Sequence, residues 1–154
     1  MAIDWLTVAT GISGVLTSLG GLVKSNRARK DLLIRELKIN IKAFKSALKS
    51  SNINYDRLLD FLENDQIKIA RGEKFTFPSI KNGQIAIIHV KDPRNIKFVG
   101  KDCGWLFKNI DEKIEGLRKL KKYYGSLNNV GGINVALKFY NLFFKMKLLS
   151  DFIK

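Results

Sequence analysis

Only two prolines interrupt this chain, Pro78 and Pro93, and both fall in one stretch, so the segments before and after it can run as long helices. Residues 28–49 lack Pro and Gly altogether. Their apolar side chains Leu33, Leu37, Ile41, Phe44 and Leu48 recur at helical spacing. Residues 102–124 repeat the pattern with Leu106, Ile110, Ile114, Leu117 and Tyr124, opened by Asp102 as N-cap and closed by Gly125 as C-cap. Glu115 and Lys119 stand in the favourable i,i+4 order on its outer side. Residues 133–153 are apolar almost all round, which predicts the most buried helix of the set. A shorter helix over 53–65, capped by Asn52 or Asn54, turns Tyr55, Leu58, Leu59 and Leu62 inward.

From about Asp65 the helical period fades. Residues 66–100 are punctuated by Arg71-Gly72, Phe77-Pro78, Asn82-Gly83, Asp92-Pro93 and Val99-Gly100. They read as one long irregular crossover, with a small hairpin through Lys81-Asn82-Gly83 as an option within it. Phe75, Phe77, Ile80, Ile87, Ile88 and Phe98 supply apolar area to pack it down. The fold expected is all-α, a four- to five-helix bundle with one irregular crossover.

Residues 5–23, WLTVATGISGVLTSLGGLV, carry no charge and lead into a basic segment. The length is near that of a membrane-crossing helix, but glycines and hydroxyl residues lower its apolarity. On a helical wheel Thr10, Gly11, Gly14, Ser18 and Gly21 gather into a small-residue seam that lets two helices approach closely, and Trp5, Leu6, Ile12, Val15, Leu16, Leu19 and Val23 fill most of the remainder. Two fates are open for this segment, entry into a bilayer or burial in the bundle, and the seam would serve in both. The organisation expected is an N-terminal apolar helix over 1–23 and a basic helical domain over 24–154.

Charge gives the partner class. There are 28 Lys and Arg against 14 Asp and Glu, a net of +14. Residues 24–49 hold nine bases and two acids, and residues 91–122 ten and five. Arg27, Arg29, Lys30, Lys38, Lys42, Lys45 and Lys49 are the candidate contacts to an anionic surface. If the segment spans, the bases just after residue 23 are expected to keep the body on the cytoplasmic side, at the inner face of a membrane. An anionic membrane is the first partner expected. Nucleic acid is the second, although no reader motif accompanies the charge. A protein partner of unknown kind and a homo-oligomer paired through the seam complete the set.

Little chemistry is available. His89 is the only histidine and Cys103 the only thiol, so no metal site with several His or Cys ligands can be built from one chain. Both read as structural residues, although a helix N-terminus can in principle lower the Cys103 pKa. Glycine-rich phosphate loops are absent. Carboxylate pairs such as Asp111-Glu112 read as solvated helix surface. No catalytic residue, metal or cofactor is assigned, and a non-enzymatic protein is expected.

The run GISGVLTSLGGLVKSNRARKDLLIRELKINIKAF, an apolar Gly/Ser-spotted segment, a basic turn and an amphipathic helix, resembles the start of HeLo and HeLo-like domains. These are related to mixed-lineage kinase-like four-helix domains. The likeness covers roughly residues 5–48 and does not extend to the irregular 66–100 segment. It implies a latent helical bundle whose N-terminal segment is released on oligomerisation and perturbs a membrane, as in a cell-death or defence effector.

Overall fold

The computed structural model of the chain describes residues 3–23 and 28–154. Among these residues there are six α-helices: α1 (Trp5–Gly20), α2 (Arg29–Ala47), α3 (Tyr55–Phe61), α4 (Asp65–Gly72), α5 (Cys103–Tyr124) and α6 (Val135–Ile153). Three 3-10 turns, Phe77–Ser79, Ile87–His89 and Pro93–Phe98, lie between α4 and α5. No β-strand occurs among the described residues, and the one extended pairing is an isolated bridge between Gln84 and Asp102. The all-α expectation holds.

Helix α6 is the axis of the packing. It touches α1, α2 and α5 and the last two 3-10 turns. Its side chains from Phe139 to Ile153 are mostly buried, which explains why the sequence there is apolar all round. Phe44 of α2 meets Phe139 and Phe143 edge-on, and Tyr55 stacks on Phe139. Each fully buried Phe or Leu contributes roughly 2–3 kcal/mol relative to exposure.

Several boundaries follow local chemistry. Asp102 accepts the Trp105 N–H at 2.8 Å and starts α5, and Gly125 ends it in the left-handed region at φ +80°. Asn54, not Asn52, caps α3 by accepting the Arg57 N–H at 3.1 Å. Asn134 caps α6 through the Leu137 N–H. Asp4 does the same for α1 through the Leu6 N–H. Helices α1 and α2 are separate and antiparallel, with Gly20 near Lys38 and the middle of α1 near Lys45 and Lys49.

The crossover is shorter than expected. Residues 65–72 form α4, which the fading period had hidden. No hairpin forms at Lys81-Asn82-Gly83. Instead Ile85 donates to the Lys101 carbonyl at 2.8 Å and accepts from Gly100 at 2.9 Å, closing residues 86–99 into a loop. Phe77 anchors the first part: its ring stacks on Phe107 and lies so near Gly104 that a Cβ there would sit 3.3 Å from the Phe77 side chain. Ile80 and Ile85 are buried, whereas Ile87 and Ile88, expected to pack down, are 61% and 75% exposed. Tyr124, expected inward, is also exposed. The last turn of α5 runs past the neighbours that cover Leu117.

Candidate functional site

Helix α1 is an integral layer of the bundle. Val8, Ile12, Val15 and Leu19 recur every three or four residues and are buried against α2 and α6. Of the candidate membrane-inserting residues, Ile12, Val15 and Leu19 therefore sit in the core. Trp5, Leu16 and Val23 are half-buried at its edge, with the Trp5 ring edge-on to Tyr140 at 5.8 Å, and Leu6 alone is largely exposed.

Only part of the small-residue seam meets a neighbouring helix, at Gly11, whose Cβ position lies 3.6 Å from Lys147 and 3.8 Å from Phe143 of α6. Thr10, Gly14 and Gly21 are exposed, and nothing lies within 4 Å of where a Cβ would stand on Gly14 or Gly21. Gly11 and Ser18 are half-buried, Gly11 under the Lys147 side chain. The larger side chains turn inward because they remove more apolar area from water than glycine or serine can. The outer side of α1 is left small and uncharged.

Beside that side runs the lysine stripe of α2. Lys42, Lys45 and Lys49 are exposed and Lys38 is half-buried, its ammonium 3.9 Å from the Cβ position of Gly20. Lys45 and Lys49 form one wall of a groove of about 390 Å³ whose other wall is Ala9, Ile12, Ser13, Leu16 and Thr17. None of the four lysines joins an ion pair among the described residues, nor does the exposed Lys30. Arg29 is different: it donates to both Glu73 oxygens at 3.2 Å and to Gln66, so its charge is spent within the fold. Arg27 lies outside the described residues.

The two acids of this block, Asp31 and Glu36, are 6% and 2% exposed. Both turn inward, so the solvent side of α2 is more purely basic than the sequence count implies. Burial pushes the Glu36 carboxyl up to about 7, with Asp65 and Glu63 adding to the effect and two backbone N–H bonds opposing it.

The other candidates have structural partners. His89 accepts the Ala86 N–H on Nδ1 at 2.9 Å and rests edge-on against Phe152. Cys103 is buried, and desolvation together with the nearby Asp102 pushes its thiol up to about 12, opposite to the lowering that a helix N-terminus can give. Asp111 is not solvated surface. It is 4% exposed, accepts from Asn64 at 2.7 Å and pairs with Arg71. Glu115 pairs with Arg118 and Lys68, not with Lys119, and hydrogen bonds from Asn64, Lys68 and Arg118 hold its carboxyl at about 2. Among the described residues no three His, Cys, Asp or Glu side chains converge as a metal site. None of the described helices is long and apolar enough to cross a membrane, and α1 at 16 residues spans about 24 Å against a hydrocarbon core of about 30 Å.

Compared with protein-family models, with curated proteins and with solved structures, the chain matches none.

Proposed function

We propose that this protein is a non-enzymatic helical bundle that docks on anionic membrane surfaces, with the uncharged outer side of α1 against the lipid and the α2 lysines on the headgroups. One observation carries the proposal. The outer side of α1 has no charge along its whole length, and the adjoining lysines of α2 have no ion-pair partners among the described residues. A neutral strip bordered by cations suits an interface where the strip meets the acyl boundary and the cations meet phosphate. At its length α1 would lie in the plane of the interface, not across it. The HeLo-like resemblance fits the same scheme as a resting state. There α1 is stored in the bundle, and its release would free the faces of Val8, Ile12, Val15 and Leu19 for lipid and for oligomerisation, the step by which a defence effector would perturb a membrane.

Vesicle flotation tests the docking step. The wild type is expected to float with vesicles rich in anionic lipid and not with neutral ones. The triple variant Lys42→Glu, Lys45→Glu, Lys49→Glu is expected to bind at least about 100-fold more weakly, since each surface base is worth about 1 kcal/mol there. Equal flotation of the two proteins, or no preference for anionic lipid, sinks the proposal. Duplex DNA binding that the triple variant loses, without any vesicle binding, would establish the nucleic-acid alternative in its place. Deleting residues 1–23 is a poor test because it removes four core side chains.

A further inference from the structure

Among the described residues Lys145 is the one lysine withdrawn from solvent, 6% exposed on α6. Its ammonium donates to Asn109 Oδ1 and stands 5.5 Å from the Phe98 ring centre. No carboxylate among the described residues lies within ion-pair distance of it. An ammonium has three donors, and a buried charge without a counter-charge is costly unless something completes it.

The surroundings deepen the imbalance. Two adjoining concavities of about 300 and 360 Å³ share Lys113, Asn141 and Lys145 as walls. Lys138 lines the first, and Lys97 and Arg94 line the second. Acids are few. Asp92 is occupied by a two-point bond to Arg94, at 2.9 and 3.0 Å, and Glu112, the one acid lining the first concavity, stands 3.9 Å from Lys108. Burial, then repulsion from Lys113 and Lys97, lowers the Lys145 ammonium to about 8, with Glu112 opposing the shift.

We propose that this pocket binds a phosphoryl anion, with Lys145 at its floor and Lys97, Lys113 and Lys138 at its rim. Several uncompensated ammonium groups around one buried charge call for a ligand with two or more negative charges close together. A phosphate or diphosphate group supplies them, and a single carboxylate does not. Lysines serve here as point charges, and the Asn109 and Asn141 amides can orient the oxygens. The site is independent of the docking surface on α1. Lys147, which covers Gly11, is two residues from Lys145, about 200° around α6.

Calorimetric titration of the full chain with inorganic pyrophosphate at low salt tests the assignment. One-to-one binding is expected, weakened about tenfold or more by Lys145→Met and by Lys113→Ala, and unchanged by Lys42→Met on α2. Met conserves volume at the buried position, and circular dichroism with a thermal melt confirms that each variant folds. Pyrophosphate should raise the wild-type melting temperature and raise that of Lys145→Met less at the same concentration. A parallel arm uses vesicles carrying phosphatidic acid. Lys145-dependent vesicle binding without pyrophosphate binding would assign the same phosphoryl chemistry to a lipid headgroup. Pyrophosphate that binds no tighter than acetate, together with vesicle binding indifferent to Lys145, would overturn the proposal. Equal loss from Lys42→Met and Lys145→Met would do so too, by showing diffuse charge attraction without a site.

Discussion

The carboxylate of Glu36 accepts the backbone N–H of Ile67 at 3.1 Å and that of neighbouring Gln66 at 2.7 Å, so α4 is capped by a side chain of α2. One helical turn further along α2, Asn40 donates to the Glu63 carbonyl at 2.8 Å and accepts the Glu63 N–H at 2.7 Å. Two polar residues on one face of α2 thus hold the elbow between α3 and α4. Asn64, the N-cap position of α4, makes no cap bond itself and turns instead towards α5.

The buried cap gives stability a pH dependence. Because the Glu36 pKa is raised from 4.5 to about 7 on folding, the folded state holds this proton where the unfolded state has released it. Its contribution is complete below about pH 4.5 and is lost as pH rises through 7. Urea denaturation of the wild type and Glu36→Gln between pH 4.5 and 8 should show the wild type falling relative to the variant by about 3 kcal/mol. Parallel curves would mean that the carboxyl keeps its ordinary value.

Asn64 is fully buried and ties the elbow between α3 and α4 to α5. It donates to Asp111 at 2.7 Å and Glu115 at 2.9 Å and accepts from Arg118 at 2.6 Å. Asn64→Ala should cost about 2–3 kcal/mol in chemical denaturation, because charged partners lose a buried bond. The same variant should raise the acid titration midpoint of Glu115 by nuclear magnetic resonance, since Asn64 is the largest influence holding it low. A cost below about 0.5 kcal/mol would remove this cluster from the stability of the fold.

Helix α1 should melt with the body. Leu19, with no exposure, and Leu6, 71% exposed, lie on opposite fates of one helix. Leu19→Ala is expected to cost about 3 kcal/mol and Leu6→Ala less than about 0.5. Comparable small losses at both positions would mean that α1 detaches before the bundle unfolds.

Cys103 should be inert in the native protein. With its thiol near 12, Ellman's reagent at pH 8 should react slowly with folded protein and quickly after guanidinium denaturation. Equal rates in both states would show that the thiol is accessible without unfolding.

The sequence by itself determined the helices that carry their own instructions. Apolar stripes at a period of 3.6, Asp102 before α5 and Gly125 after it are signals that act over a few residues, and apart from Tyr124 they hold in the structure. What only tertiary structure decided is where distant groups meet. Helix α4 is eight residues long, too short to stand alone, and its cap lies in another helix. The one legible hint was Asn40, about 20° from Leu33 on the α2 wheel. Lys145 showed the same limit, for its position says helix but not that α5 and the crossover would close over it. The side of α1 that turns inward was decided by apolar area. Val8, Ile12, Val15 and Leu19 bury more of it than the glycines and serines opposite, and only the packed neighbours settle which face is used.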